Sequence, residues 1–82
     1  MQEDSKFYVY SKPGCGFCGR LTEFMDSHRL GYEKLTLGYD YKIEEFLEKF
    51  GNNCTFPQVT FENQKIGGMK DTVRYIMEQQ MV

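Results

Sequence analysis

The sequence lacks a surplus of positive charge, a long hydrophobic run and any tryptophan. Its 82 residues carry 10 basic and 12 acidic side chains, so the net charge of -2 disfavours a nucleic-acid-binding module. No apolar stretch approaches the roughly 20 residues that a membrane-spanning helix needs. The first six residues have neither the basic nor the apolar region of a secretory signal. We therefore expect no nucleic-acid or membrane partner and a cytoplasmic location.

Cysteine is also scarce, with only Cys15, Cys18 and Cys54. An odd number of cysteines cannot form a closed disulfide framework, and small secreted scaffolds usually have an even and larger number. In a reducing compartment, two closely spaced cysteines are more often catalytic or metal-binding than structural. The pair Cys15 and Cys18 is therefore the first candidate site.

Hydrophobic residues make up 40% of the chain and aromatic residues 16%, which is sufficient for one core. We expect a single domain over residues 1–82, since domains usually have about 50–250 residues. Hydrophobic spacing predicts strand, helix, strand, helix, strand, strand and helix in chain order. The strands of the first strand–helix–strand unit should be parallel, and the later hairpin should add two antiparallel strands. The predicted fold is therefore α/β, a four-stranded mixed sheet flanked by three helices.

Individual residues set the expected boundaries of the helices. Gly31 should provide the left-handed cap of the first helix. Asp40 should cap the start of the second helix and Gly51 should end it. The third helix should begin near Asp71. The helical residues expected to face the core are Phe17, Leu21, Phe24, Met25, His28, Ile43, Phe46, Leu47, Phe50, Val73, Ile76 and Met77.

The segment Cys15-Gly16-Phe17-Cys18 lies where the first strand gives way to the first helix. Unpaired amides and the helix dipole stabilise a thiolate at such a position, where the cysteine pKa can fall to roughly 3.5–7.5. Cys18 lies one turn further on, close enough for a disulfide and less exposed. This spacing predicts that Cys15 attacks a substrate disulfide and that Cys18, or an external thiol, resolves the mixed disulfide. Lys12 can add positive charge nearby.

Other functions of a C-x-x-C pair fit less well. A zinc site needs about four ligands, and only Cys54 and His28 remain, the latter about three turns away. Covalent haem attachment needs a histidine directly after Cys18, where the chain has Gly19. An inert, coincidental pair is the remaining alternative.

Three segments resemble those of the glutaredoxin family. Residues 11–18 (SKPGCGFC) resemble its active-site stretch, residues 55–59 (TFPQV) its T-V-P-Q-[VI] segment, and residues 66–71 (IGGMKD) its I-G-G-x-[DS]-D segment. Order and spacing match over nearly the whole chain. The chain also resembles the very short members of the family, including those of bacteriophages. Thioredoxins are a weaker match, because they typically have W-C-G-P-C in a longer chain.

The resemblance implies a thioredoxin-like fold and glutathione as the reductant. It also implies that Cys15 forms a mixed disulfide with glutathione and that Lys12 pairs with the glycine carboxylate. Phe56 would bind the cysteinyl part through its backbone, beside a cis Pro57. The other glutathione-binding residues that it implies are Phe17, Thr55, Gly68, Met69, Lys70 and Asp71. The implied function is a monomeric, glutathione-dependent oxidoreductase for protein disulfides and glutathione mixed disulfides, with ribonucleotide reductase as a suggested partner.

The sequence departs from the family pattern in ways that keep alternatives open. Gly16-Phe17 replaces the Pro-Tyr of many dithiol members and resembles the monothiol branch, which binds iron–sulfur clusters. A [2Fe-2S] carrier or sensor, with Cys15 and glutathione from each of two chains as ligands, is therefore one alternative. A thioredoxin-like protein that is reduced by thioredoxin reductase is another alternative.

Two single residues also need interpretation. Lys70 stands where the glutaredoxin family often has Asp or Ser. Cys54 is interpreted as a loop residue or as an extra thiol open to glutathionylation.

Overall fold

A computed structural model describes residues 6–52, 55–62 and 64–79. The elements in chain order are β1 Phe7–Ser11, α1 Gly16–Ser27, β2 Tyr32–Thr36, α2 Ile43–Phe50, β3 Gln58–Phe61, β4 Gln64–Gly67 and α3 Met69–Glu78. The strand order is β2-β1-β3-β4; β1 is parallel to β2 and antiparallel to β3, which is antiparallel to β4. This confirms the predicted four-stranded mixed sheet with three helices. In these ranges no helix is long and apolar enough to span a membrane.

The central strand β1 contributes side chains to both faces of the sheet, because successive side chains of a strand alternate. On one face lies the main hydrophobic core, which consists of Phe7, Val9, Leu21, Met25, Val59, Phe61 and Ile76. Tyr10 contributes to a second, aromatic cluster, in which its ring contacts those of Tyr41 and Phe50. Helices α1 and α3 therefore cover the main core, and α2 covers the aromatic cluster.

The end of α1 differs from the prediction, because the left-handed residue is Arg29, with φ 59°, and not Gly31. The amide of Leu30 donates to the carbonyl of Met25 at 2.9 Å and satisfies a carbonyl of the last turn. Leu30 then packs against the main core. Backbone pairing and burial of Leu30 together hold Arg29 in a conformation that usually favours glycine.

The start of α2 also differs from the prediction, because Asp40 does not cap it. The Asp40 carboxylate accepts the Thr36 amide at 2.8 Å and so stabilises the turn after β2. At the helix start the Glu45 carboxylate accepts the amide of Lys42, also at 2.8 Å. Gly51 ends α2 as predicted, with φ 97°.

Parts of the predicted helix faces are wrong. The residues expected in the core that are exposed instead are Phe17, His28, Ile43 and Met77. In α1, the polar residue Thr22 is buried although it was not expected to face the core. Its hydroxyl donates to the carbonyls of Cys18 and Gly19, so burial does not leave this hydroxyl without a hydrogen bond. Helix α3 starts at Met69, two residues before the predicted Asp71.

Candidate functional site

The two cysteines of the C-x-x-C motif form a disulfide at the N-terminus of α1, with their Cα atoms 5.3 Å apart. Cys15 is the N-cap residue, and its Sγ accepts the amide of Cys18 at 3.2 Å. Cys15 is half-buried, whereas Cys18 is only 1% exposed. A reaction partner from solvent can therefore reach the sulfur of Cys15 more easily than that of Cys18.

A short loop between β1 and α1 brings Cys15 to this position. Gly14 has φ 79°, a conformation that a residue with a Cβ rarely adopts, and the Cys15 amide donates to the Lys12 carbonyl at 3.3 Å. At the start of the loop, the carbonyl of Ser11 accepts the hydroxyl of Tyr41 at 2.6 Å. The loop is thus held both by its own turn and by the segment before α2.

Tyr41 is 8% exposed, and its phenol is less acidic than that of a free tyrosine. Burial, followed by the nearby Tyr10 and Asp40, raises the pKa of Tyr41 to about 12. Deprotonation would place a negative charge on a buried oxygen, and burial disfavours this phenolate form. Tyr41 therefore remains a hydrogen-bond donor to Ser11 throughout the neutral range.

A groove of about 530 Å³ opens beside the first turn of α1. Its lining residues are Phe17, Thr55, Phe56, Pro57, Gln58, Gly67, Gly68, Met69, Lys70 and Asp71. They come from three separate segments: α1, the turn before β3, and the junction of β4 with α3. The groove thus brings together eight of the predicted site residues, and Gln58 and Gly67 are additional.

The turn before β3 forms one wall of the groove. The Phe56–Pro57 peptide bond is cis, as the resemblance implies. The buried side chain of Gln58 donates from its Nε2 to the Thr55 carbonyl at 2.9 Å, across the cis bond. This hydrogen bond fixes the turn and explains why Gln58, for which no role was predicted, lines the groove.

The junction of β4 with α3 forms the opposite wall. Gly67 has φ 125°, and a Cβ there would come within 2.6 Å of Oδ2 of Asp71. A Cβ on Gly68 would lie 3.5 Å from the carbonyl oxygen of Pro57, so the two walls are close at this point. Gly68 is the N-cap of α3, and the first amides of a helix have no partner within it. This end of the groove therefore favours anionic groups.

Two cations outside the lining of the groove lie over the aromatic rings of residues that line it. Nζ of Lys12 is 5.2 Å from the centre of the Phe56 ring, and the guanidinium carbon of Arg20 is 5.8 Å from that of the Phe17 ring. Phe17 is 59% exposed. Lys12 was predicted, whereas Arg20 was missed. The signal for Arg20 was its spacing of three residues from Phe17, which places both on one side of α1.

The described residues contain no group of three or more histidine, cysteine or acidic side chains that could hold a metal ion. Lys70 is exposed and lines the groove, and its contact with glutathione stays a prediction. Cys54 lies outside the described residues, and both interpretations of it stay untested.

Comparison with known proteins places these features in a family. The sequence model described as "Glutaredoxin" matches residues 8–66. The hybrid peroxiredoxin hyPrx5 of Haemophilus influenzae is 31% identical over 74 residues, which cover 90% of this chain and 30% of that protein. Glutaredoxin 3 of Danio rerio is 28% identical over 67 residues, which cover 82% of this chain and 20% of that protein. The chain thus spans less than a third of the length of either relative.

Among solved structures, the complex of buckwheat glutaredoxin with glutathione superposes with a TM-score of 0.75 at 23% identity. The match covers 92% of this chain and 71% of that one, and it shows that the fold is thioredoxin-like. Since the family's sequence model spans most of the chain, including the cysteine pair and the turn before β3, the chain belongs to the glutaredoxin family.

Proposed function

We propose that the protein is a glutathione-dependent thiol–disulfide oxidoreductase that reduces protein disulfides and glutathione mixed disulfides. The observation that carries the proposal is the disulfide between a half-buried Cys15 and a buried Cys18 at a helix N-terminus, next to an open groove. Family membership supports thiol–disulfide chemistry. The glutathione complex of the buckwheat relative supports the choice of reductant.

In the reducing direction, the Cys15 thiolate attacks one sulfur of a substrate disulfide and expels the other as a thiolate. The helix N-terminus and the Cys18 amide favour the thiolate form of Cys15. The Cys18 thiolate then attacks the Cys15 sulfur, which releases the second substrate thiolate and forms the Cys15–Cys18 disulfide. The substrate gains two electrons, and the two cysteines lose them.

Glutathione returns the protein to its reduced form in two exchanges. One glutathione thiolate attacks the Cys15 sulfur and expels the Cys18 thiolate, so that Cys15 carries glutathione in a mixed disulfide. A second glutathione thiolate attacks the glutathione sulfur of that bond. Oxidised glutathione leaves with the Cys15 thiolate restored, and two glutathione molecules have supplied the two electrons.

The groove is suited to glutathione, a small peptide with two carboxylates. Its glycine carboxylate would meet Lys12, and its γ-glutamyl carboxylate would meet the first amides of α3. The backbone of Phe56 would pair with the cysteinyl residue in an extended conformation. Lys70 could contact a carboxylate but not the amino group, for which the exposed Asp71 is the available partner.

The partners follow from the same proposal. The protein would act as a monomer in a reducing compartment, the cytoplasm, on proteins whose disulfides can reach Cys15. Ribonucleotide reductase, which the family resemblance suggests, is one such substrate. The exposed ring of Phe17 would contact protein substrates beside the reacting sulfurs.

The first test is reduction of a glutathionylated peptide with glutathione, glutathione reductase and NADPH, in parallel with thioredoxin reductase and NADPH. We expect turnover in the glutathione system only. Turnover with thioredoxin reductase alone would overturn the proposal in favour of a thioredoxin-like function. Absence of turnover in both systems would exclude either oxidoreductase.

The second candidate, a [2Fe-2S] carrier or sensor, is favoured by Gly16-Phe17 between the cysteines. The described residues alone cannot hold such a cluster, because they offer one accessible thiol, that of Cys15. Glutathione and a second chain would have to supply the other ligands. Visible absorbance and dimerisation of protein purified without oxygen would support this candidate, and colourless monomer would contradict it.

A further inference from the structure

Lys12 is exposed, yet its side chain is directed by an aromatic ring. The ion pair in the described part of the chain joins Lys6 to Glu33, and none involves Lys12. Instead, Nζ of Lys12 lies over the ring of Phe56, 5.2 Å from the ring centre. A cation within about 6 Å of a ring centre is attracted by the negative face of the ring. The Phe56 side chain thus has a contact that its expected backbone role does not require.

Packing against α2 fixes the orientation of the Phe56 ring. It stacks on Phe46 with ring centres 4.3 Å apart and an interplanar angle of 15°. Phe46 is 1% exposed and also contacts the rings of Tyr41 and Phe50. A ring held by a fully buried neighbour has little freedom to turn away. The surface that Lys12 meets is therefore rigid.

We propose that the Phe56 ring is a positioning group for Lys12, which it holds at the edge of the groove in place to receive the glycine carboxylate of glutathione. The inference rests on the proposed glutathione dependence. A free lysine side chain loses rotamer entropy when it binds a carboxylate, and contact with a fixed ring removes part of that loss in advance. Through Phe46, packing of α2 thereby affects the affinity of the groove.

The test is a double-mutant cycle on the reduction of a glutathionylated peptide. Phe56→Leu should raise KM by about two- to fivefold and leave kcat nearly unchanged, since a cation–ring contact at an exposed site has this strength. Phe56→Tyr, which keeps the ring, should restore the KM of the original protein. In a Lys12→Gln background, Phe56→Leu should have no further effect on KM. Equal effects in both backgrounds would overturn the proposal.

A second probe separates recognition of the carboxylate from a general loss of packing. The same peptide carrying glutathione with an amidated glycine carboxylate should show a raised KM that is insensitive to Phe56→Leu. An equal rise for both peptides would assign Phe56 a purely structural role and contradict the inference. Absence of any turnover of the unmodified protein with glutathione is a different result, because it would overturn the proposed function itself.

A third measurement needs no substitution. In proton NMR spectra of the unmodified protein, the ε-methylene protons of Lys12 should resonate upfield of those of Lys34, because they are bonded next to Nζ, which lies over the Phe56 ring. Lys34 is an exposed lysine on β2 and serves as the reference. Coincident resonances for the two lysines would contradict the inference whether or not the variants fold.

Discussion

Cys15 and Cys18 differ in exposure, and this difference sets the expected result of removing each sulfur. Cys15→Ser should abolish turnover of every substrate, because it removes the attacking thiolate at the N-terminus of α1. Cys18→Ser should spare glutathione mixed disulfides, for which external glutathione can complete the reaction, and should impair reduction of protein disulfides. Initial rates with both substrate types test this. An equal loss in both variants on both substrates would contradict the assigned roles.

Phe17 is a residue whose exposure, 59%, predicts a contact with protein substrates. Phe17→Ser should lower kcat/KM for a protein disulfide by about tenfold, as expected for loss of a central aromatic contact. The effect on a small glutathione mixed disulfide should be weaker, because Phe17 is only one of several residues that line the groove. Tyr39→Ser is the matched control, since Tyr39 is 84% exposed on the turn after β2. The assignment fails if the two variants behave alike.

At the residue scale, the spacing of the cysteine pair predicted its place at a helix N-terminus, and the family resemblance predicted the cis bond before Pro57. The structure shows both features. Arg20 and Gln58 were not predicted, because arginine and glutamine have many uses. Each of their contacts, with the Phe17 ring and with the Thr55 carbonyl, spans only three residues, but it depends on the geometry of α1 or of the turn before β3, which residue type alone does not specify.

At the scale of elements, the junction of β4 with α3 depends on Gly67. Gly67→Ala should lower the free energy of unfolding by about 1–3 kcal/mol, because φ of 125° is strained for alanine and its Cβ would crowd Asp71. Gly19→Ala in α1 is the control, since a Cβ there meets nothing within 4 Å. It should raise stability by about 0.5–1 kcal/mol. Urea unfolding of both variants measures the two changes, and a destabilising Gly19→Ala would refute the comparison.

The hydrogen bond from Tyr41 to Ser11 joins the segment before α2 to the end of β1. Tyr41→Phe should cost about 0.5–1.5 kcal/mol of stability. The loss should be modest because the Ser11 carbonyl also accepts the amide of Leu37 at 2.9 Å. Chemical denaturation measures it. A loss well above this range would mean that the hydroxyl has a second structural role.

The element order could be predicted from the sequence, and so could the end of α2, because hydrophobic period and glycine position are local signals. The end of α1 could not. Arg29 adopts a left-handed conformation through the pairing and burial of its neighbour Leu30, and such tertiary effects override local preference. Asp40 likewise had two local uses, as a helix cap or as a turn acceptor, and the sequence did not distinguish them.

For the molecule as a whole, we expect ionisation of Tyr41 to lower the free energy of unfolding at high pH. Its pKa rises from 10.0 in the unfolded chain to about 12 in the fold. Between these values the unfolded state holds fewer protons than the folded state, so stability falls as pH rises from about 10 to about 12. Urea midpoints measured across this range should decline less steeply for Tyr41→Phe. Parallel declines would assign the effect to other groups.

Two segments of the groove, residues 55–58 and 67–71, flank the β3–β4 hairpin, whereas residue 17 is far from both in the sequence and meets them only through the pairing of β1 with β3. The complete site therefore has no local precursor: the long-range pairing of β1 with β3 is part of the same cooperative transition that forms the core. Enzymatic turnover should then serve as a reporter of global folding. We expect the urea midpoint of activity to coincide with that of circular dichroism, so that the catalyst is switched off only when the whole chain unfolds.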